Sequence, residues 1–134
     1  IPLVKDLLKI SKNKYYLFIE IKPILSKKML QKLLKETSKF SKCVFISFKH
    51  KNIYNLLKIK SNTKVGLSFS PATSIKNIIK KSNNKNINFF ILDKYFLKNQ
   101  AIQNLKIKKY YFTIKTKSEF KKYYKNNNLI IENL

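Results

Sequence analysis

Short apolar runs alternate with amphipathic stretches along the whole chain. The runs predict six strands, near residues 15–22, 43–48, 64–69, 88–92, 109–115 and 129–132. Between the runs, apolar residues recur every three or four positions, as in Met29, Leu30, Leu33 and Leu34, which is typical of the buried face of a helix. A similar stripe over residues 2–10 precedes the first strand. Because one helix separates successive strands, the pattern predicts an α/β fold with a parallel sheet in sequence order.

Several segments carry more specific signals. The first run, Tyr15 to Ile19, is continuously apolar and predicts a strand that is buried on both faces. Ser70-Pro71 predicts a helix start, because serine caps helices and proline suits their first turn. A single helix is predicted to carry Leu97, Ala101, Ile102 and Leu105. Residues 116–119, Thr-Lys-Ser-Glu, form a capping box.

The number of strands suggests an incomplete barrel. A complete (β/α) barrel of TIM type has eight strands in about 250 residues, whereas this chain has 134 residues and six predicted strands. We therefore predict a single domain over residues 1–134, the carboxyl-terminal portion of such a barrel, with the missing strands expected before Ile1. Two open sheet edges would favour self-association.

Composition narrows the class of protein. Hydrophobic residues make up 44% of the chain, which argues against intrinsic disorder. No apolar run reaches the roughly 18 residues of a membrane span, and no secretory signal opens the sequence. The single cysteine, Cys43, excludes an internal disulfide and a cysteine-based zinc cluster. We expect a cytoplasmic protein without a transmembrane segment.

The strong positive charge has a compositional explanation. The net charge is +24, yet all 30 basic residues are lysine, whereas surfaces that grip phosphates usually employ arginine. The chain is also rich in Asn, Ile, Phe and Tyr, which together with Lys are the residues of A/T-rich codons. We interpret the excess as a background bias, with a nucleic-acid surface or attraction to an anionic membrane as alternatives. No specific nucleic-acid partner is expected, and the lysines should be scattered over the outer helices.

Three of the six carboxylates fall where predicted strands end, at Glu20, Asp93 and Glu132. Catalytic groups of parallel barrels lie at this end of the strands, and carboxylates there could bind a hard divalent cation. Alternatively, polar residues simply resume where strands stop. Glu20 differs because it interrupts an apolar run and shares a face with Lys22. A buried Glu-x-Lys pair would require a partner, which could be Lys22 itself, another residue of the same edge, or a metal.

These residues also carry a resemblance to a known family. Residues 17–23, Leu-Phe-Ile-Glu-Ile-Lys-Pro, resemble the Glu-Ile-Lys strand of glycerophosphodiester phosphodiesterases. Further similarities follow in the family's order: residues 1–8 to its Ile-Pro-Thr-Leu-x-Glu-x-Leu segment, 45–48 to its Ser-Phe strand, 64–67 to its Gly-Leu strand, 111–115 to its Trp-Thr-Val-Asn strand, and 129–133 to its Gly-Ile-Ile-Thr-Asp strand. The resemblance covers essentially the whole chain.

The resemblance implies a barrel enzyme of lipid metabolism. It implies hydrolysis of a small-molecule glycerophosphodiester to an alcohol and glycerol 3-phosphate, with a divalent metal such as Mg or Ca. By motif position, Glu20 corresponds to a metal ligand, Lys22 to a residue of the substrate-phosphate site, and Phe112 to an aromatic residue of the pocket wall.

The departures from the family are equally important. Its catalytic histidines, in His-Arg-Gly and His-Asp motifs, and its Glu-x-Asp metal pair are expected upstream of Ile1. Lys115 replaces an Asn, Asn126 a Gly, and residues 132–133, Glu-Asn, replace Thr-Asp. His50 is interpreted as a surface residue at a helix start. We expect no catalytic residue in this chain and no turnover by it alone. The alternatives are a degenerate barrel that binds a phosphate ligand without catalysis, and a basic nucleic-acid-binding module.

Overall fold

The computed structural model describes residues 4–12 and 14–133, in which helices and parallel strands alternate. The strands are β1 (Leu17–Glu20), β2 (Cys43–Ser47), β3 (Val65–Phe69), β4 (Phe89–Asp93), β5 (Lys108–Ile114) and β6 (Asn128–Ile131). The helices are α1 (Val4–Ser11), α2 (Lys27–Thr37), α3 (His50–Ile59), α4 (Ile75–Ser82), α5 (Gln100–Gln103) and α6 (Lys117–Tyr123), with a 3-10 helix at Lys94–Lys98. The strand order is β1 to β6, which confirms the predicted incomplete barrel of TIM type. Ile1, Pro2 and Leu3, part of the first predicted helix and of the resemblance, lie outside the described residues.

The chain divides into two compact units, Ile1–Val65 and Gly66–Leu134. In the first unit, β1 pairs in parallel with β2, with Leu17 opposite Cys43 and Glu20 opposite Ile46. All five residues of β2 are buried. Fully buried apolar side chains from the helices complete the core of the first unit: Leu8, Leu30, Ile53 and Leu56. The apolar stripes of the sequence therefore correspond to the helix faces that cover this strand pair.

The first strand is shorter and more exposed than its sequence predicts. Tyr15 and Tyr16 lie before β1 and are 64% and 54% exposed, and the strand itself begins at Leu17. Leu17, Phe18 and Ile19 are half-buried, so the prediction of a strand buried on both faces is wrong. The physical reason is that β1 is the first strand in the sheet order, so its apolar run is not enclosed as the inner strands are.

In the second unit, β3, β4, β5 and β6 pair in parallel in that order. Phe69 and Phe90 pack edge to face, with 4.8 Å between ring centroids. Ile78 of α4 and Ile102 of α5 are fully buried, as is Leu92 in β4. Large side chains from neighbouring strands and from the covering helices thus fill one core.

The helix start predicted at Ser70-Pro71 is wrong by four residues. The chain first makes a turn, in which the Thr73 N–H donates to the Ser70 carbonyl at 3.0 Å. α4 begins only at Ile75, because the Ser74 hydroxyl supplies the cap and accepts from the Asn77 N–H at 3.3 Å.

The single helix predicted to carry Leu97 to Leu105 is also wrong, because Asn99 divides it. Asn99 ends the 3-10 helix, and its Oδ1 accepts from the Ile102 N–H at 3.0 Å, which caps the start of α5. Asparagine favours caps over helix interiors because its side chain competes for backbone donors.

The capping box is confirmed in its first half and altered in its second. The Thr116 hydroxyl accepts from the Glu119 N–H at 3.2 Å. The Glu119 carboxylate accepts from the Lys115 N–H at 3.3 Å and from the Lys94 ammonium at 2.5 Å, rather than from the N–H of the cap residue itself. The hydrogen bond from Lys94, followed by that from Lys115, lowers the pKa of Glu119. This interaction ties the start of the 3-10 helix to the start of α6.

Tyr111 is a buried, ionisable side chain of the second unit, so its titration tests how tightly that unit is packed. Its side chain is 1% exposed, and burial raises the pKa of Tyr111 to about 12, although its oxygen accepts from Gln103 Nε2 at 3.0 Å. The folded pKa lies above the unfolded value of about 10, so the fold favours the neutral phenol. The contribution of Tyr111 to the free energy of unfolding is therefore complete below pH 10 and is lost as the pH rises toward 12. We expect a phenolate absorbance titration to contain a component near pH 12 that is absent from Tyr111→Phe.

The same shift predicts how stability changes in alkali. Between about pH 9 and about pH 11, wild type should lose more free energy of unfolding in urea than Tyr111→Phe, which has no ionising hydroxyl. Equal losses in the two proteins would show that Tyr111 ionises as readily in the folded chain as in the unfolded one.

Candidate functional site

The carboxyl end of β1 places Glu20 and Lys22 in solvent. Glu20 is opposite Ile46 of β2, and the next residue, Ile21, donates its N–H to the Ile46 carbonyl at 2.8 Å. Alternation directs Ile21, which is 4% exposed, into the core, whereas Glu20 and Lys22 are both exposed. The expectation of a buried Glu-x-Lys pair that needs a partner is therefore wrong. The pair is instead two solvated charges at the end of a strand.

A buried polar network holds the segment that follows Glu20. Ser47, the last residue of β2, donates its hydroxyl to the Ile21 carbonyl at 2.5 Å. Asn52 of α3 donates through Nδ2 to the Pro23 carbonyl at 2.8 Å and to Ser47 Oγ at 3.4 Å. Its Oδ1 accepts from the Leu25 N–H at 3.0 Å. Ser47 and Asn52 are both 0% exposed. The bonds of Ser47 to Ile21 and Asn52 are buried, whereas those of Asn52 to Pro23 and Leu25 are partly buried.

This network fixes the backbone on which Lys22 lies. The hydrogen bonds at Ile21, Pro23 and Leu25 bracket Lys22 and leave its side chain exposed. Sequence reasoning noted Ser47 only as part of a family-like strand and missed Asn52. The available signal was a polar residue on the apolar stripe of α3, beside Ile53 and one turn before Leu56. A polar residue at such a position must find partners inside the protein.

A small apolar cavity lies beside Glu20 in the same unit. Its volume is about 250 Å³, and its lining consists of side chains from α1 and β1: Val4, Leu7, Leu8, Leu17, Phe18, Ile19 and Glu20. Among the described residues of that lining, Glu20 is the only polar one. The carboxylate therefore lies where an apolar surface meets solvent.

In the second unit, the structure brings Asp93 and Phe112 together. They are opposite each other in the β4–β5 pair, and both are half-buried. Asp93 also has a local role, because its Oδ1 accepts from the Tyr95 N–H at 2.8 Å and caps the 3-10 helix. The cap is enough to explain why a polar residue stands at the end of β4, without any functional role for Asp93.

Glu132 lies just beyond β6 and is exposed. Its carboxylate is 3.4 Å from the Lys115 ammonium, and its N–H donates to the Ile114 carbonyl at 3.0 Å. Lys115 and Glu132 are two of the positions where the chain departs from the family pattern. The two substitutions give a surface ion pair, which is expected to contribute little to the free energy of unfolding. His50 is half-buried as the first residue of α3.

The described residues do not fit a metal ion on their own. Within residues 4–12 and 14–133, no three side chains of His, Cys, Asp or Glu are grouped so that they could hold one. Asp93 and Glu132 have the structural partners given above. That carboxylates at these strand ends bind a cation therefore stays a prediction. None of the helices between residues 4 and 133 that the structure describes has the length and hydropathy of a membrane span.

Comparison with known proteins gives similarity at the level of structure. No protein-family model matches the chain, and no curated protein sequence matches it. A solved structure from Silicibacter pomeroyi DSS-3, assigned as a glycerophosphoryl diester phosphodiesterase, superposes over 97% of this chain with a TM-score of 0.75 and 12% identity. A second, from Galdieria sulphuraria and assigned as a glycerophosphodiester phosphodiesterase, superposes over 99% with a TM-score of 0.78 and 16% identity. This chain spans only 52% and 60% of those two chains. The resemblance seen in the sequence is thus confirmed for the fold.

Proposed function

We propose that this chain forms part of a barrel that hydrolyses glycerophosphodiesters. The observation that carries the proposal is the solvated pair Glu20 and Lys22 at the carboxyl end of β1, on a fold shared with two proteins assigned to that activity. In parallel barrels the reacting groups lie at this end of the strands. The buried bonds of Ser47 and Asn52 support the proposal, because they keep the Lys22 backbone in one position.

Each proposed residue has a distinct task. The Lys22 ammonium is a compact charge that suits a phosphate oxygen. Phe112 is proposed, from its motif position alone, as an aromatic residue of a pocket wall. Glu20 is proposed as one carboxylate toward a divalent cation such as Mg or Ca, whose other ligands the described residues do not supply. In the reaction, the oxygen of water bonds to phosphorus as the water gives up a proton, the bond from phosphorus to the alcohol oxygen breaks, and the alcohol oxygen takes up a proton.

The direct test is hydrolysis by the complete natural protein that contains this chain. Glycerophosphocholine and glycerophosphoethanolamine are supplied, and the release of glycerol 3-phosphate is measured. We expect release by the complete protein and none above the blank by the 134-residue chain. General acid–base catalysis needs proton-transfer groups, and the resemblance assigns that role to no residue of this chain. Turnover by this chain alone would contradict the assignment. Binding of glycerol 3-phosphate without any turnover by the complete protein would identify a non-catalytic relative instead.

A further inference from the structure

Tyrosines and lysines of the first unit gather at the amino ends of the strands. We call this the amino-end cluster: Lys14, Tyr15, Tyr16, Lys42 and Lys64. The Lys64 and Lys42 ammonium groups lie 5.2 and 5.8 Å from the centroid of the Tyr16 ring, and the Lys14 ammonium lies 5.5 Å from that of Tyr15. Lys42 also donates to the Lys14 carbonyl at 3.1 Å. The three positive charges are thus held in one small area.

Negative charge in this unit lies mostly elsewhere. Glu20 is at the opposite end of β1, and Asp6 is in the first turn of α1, whereas the last turn of α1 leads toward the cluster. Glu36 is in the last turn of α2, where its carboxylate is 4.0 Å from Lys32, so the three lysines of the cluster outnumber the single carboxylate at this end. The amino-end cluster therefore presents a local positive surface. Charge complementarity requires an anionic partner.

The tyrosine rings favour a lipid surface over a nucleic acid. Single-stranded nucleic acids bind proteins by stacking bases on open aromatic faces, but here lysine ammonium groups lie over the rings of Tyr15 and Tyr16. Tyrosine is also common at the boundary between water and lipid, where its ring and hydroxyl meet different surroundings. Ile10, near the end of α1, is 78% exposed and adds apolar surface four residues before Lys14. We propose that the amino-end cluster docks on an anionic phospholipid surface.

A polar cavity next to the cluster suits a lipid headgroup. Its volume is about 280 Å³, and its lining includes Lys60, Lys64, Ser41 and Asn62. Two ammonium groups together with hydroxyl and amide donors can bind the oxygens of a phosphate. A headgroup phosphate there would be continuous with the positive surface around Tyr16.

Docking through the amino-end cluster determines which way Glu20 and Lys22 face. Its meaning for the substrate rests on the proposed function. The four residues of β1 separate Tyr16 from the segment that carries Lys22, a distance of roughly 13 Å at the rise of a strand. Glu20 and Lys22 would then face water rather than lipid. This orientation agrees with the proposed function, because glycerophosphodiesters are water-soluble and carry no acyl chains, unlike an intact phospholipid of the membrane.

Vesicle sedimentation tests the docking with matched lysine variants. The complete natural protein is mixed with vesicles of phosphatidylcholine alone or with about one-third phosphatidylglycerol, and binding is expected only to the anionic vesicles and to weaken with salt. Lys42→Gln with Lys64→Gln should weaken binding about tenfold or more. Lys27→Gln with Lys58→Gln removes the same charge from exposed positions of the same unit and should stay within about twofold of wild type. Equal loss in both pairs would show only a diffuse effect of net charge and would overturn the proposal.

Tryptophan variants test the position of the contact. This chain contains no Trp, so Tyr16→Trp adds one new reporter, read as the difference from wild type, and Tyr95→Trp, at a position 71% exposed in the second unit, is its control. Anionic vesicles should shift the emission of the first variant to shorter wavelength and leave the second unchanged. An unchanged Tyr16→Trp spectrum contradicts the proposal. So does tighter binding to a mixed-sequence single-stranded RNA than to vesicles.

The substrate class is tested separately from docking. The complete protein is supplied with glycerophosphoglycerol or with vesicles containing phosphatidylglycerol, and only the former should be hydrolysed. Hydrolysis of the intact phospholipid would overturn the inferred orientation while leaving the proposed function standing. Because vesicle binding is scored without substrate, a failure to hydrolyse either compound would count against the proposed function and not against docking.

Discussion

Replacement of Glu20 by Gln is expected to lower kcat/KM of the complete natural protein for glycerophosphocholine by roughly 100-fold. Gln keeps the shape of the side chain and removes its charge, so the loss measures the need for a carboxylate at the end of β1. Glu20 is exposed and belongs to none of the ion pairs found among the described side chains, so the free energy of unfolding should hardly change. Steady-state kinetics and urea unfolding of the same preparations check both parts.

Glu36→Gln is the matched control for this experiment. It makes the same chemical change at another exposed position of the first unit, where the carboxylate is 4.0 Å from Lys32. Its activity should remain within about twofold of wild type, because an exposed pair on one helix face contributes little. If Glu20→Gln is as active as Glu36→Gln, then Glu20 has no part in the chemistry and the resemblance has misplaced the site.

The order of the sheet could be predicted because it depends on local information. Each strand is a short apolar run, and each crossover contains one amphipathic helix, so parallel pairing in sequence order follows from spacing. Errors arose where one residue decides between two local structures. Ser74 and Asn99 supply caps that the apolar pattern does not reveal, and they moved one helix start and divided another helix.

The burial of charged residues was harder to predict than the strands. Glu20 was expected to be buried because Ile19 and Ile21 flank it. Side chains alternate between opposite faces along a strand, however, so Ile21 points into the core and Glu20 points to solvent. Lys109 shows the opposite error. The composition treats all 30 lysines alike, but Lys109 is half-buried and donates to the carbonyls of Gln103, Leu105 and Ile107. Burial lowers the pKa of Lys109, which marks it as a structural residue rather than part of a solvated surface.

The sequence indicates that Asn52 is unusual, but it does not identify the hydrogen-bond partners of its side chain. The helical stripe of α3 shows a polar residue where an apolar one is expected, yet its partners, Leu25 and Pro23, lie 27 and 29 positions earlier. Periodicity describes one element at a time and holds no information about which loop reaches a buried amide. The placement of Lys22, which depends on that loop, was therefore beyond sequence analysis.

Asn52→Ala is expected to lower the free energy of unfolding by about 2–4 kcal/mol. The change removes the partners of the Leu25 N–H and the Pro23 carbonyl, which lie in a partly buried loop and lose bonds that water replaces poorly. Asn55→Ala, on the same helix and only half-buried, should change stability by less than about 0.5 kcal/mol. Both substitutions raise helix propensity in the same way, so the difference between them in urea unfolding isolates the network.

A double-mutant cycle with Ser47→Ala shows whether the two side chains act as one unit. Ser47 accepts from Asn52 and from the Lys49 N–H at 3.0 Å while donating to Ile21, so removing either side chain leaves the other with unmet bonds. The two losses should therefore overlap, and the double variant should be more stable than their sum by about 1 kcal/mol. Simple additivity would mean that each residue stabilises its own loop independently. In that case Asn52 would anchor the Pro23–Leu25 segment without linking it to the end of β2.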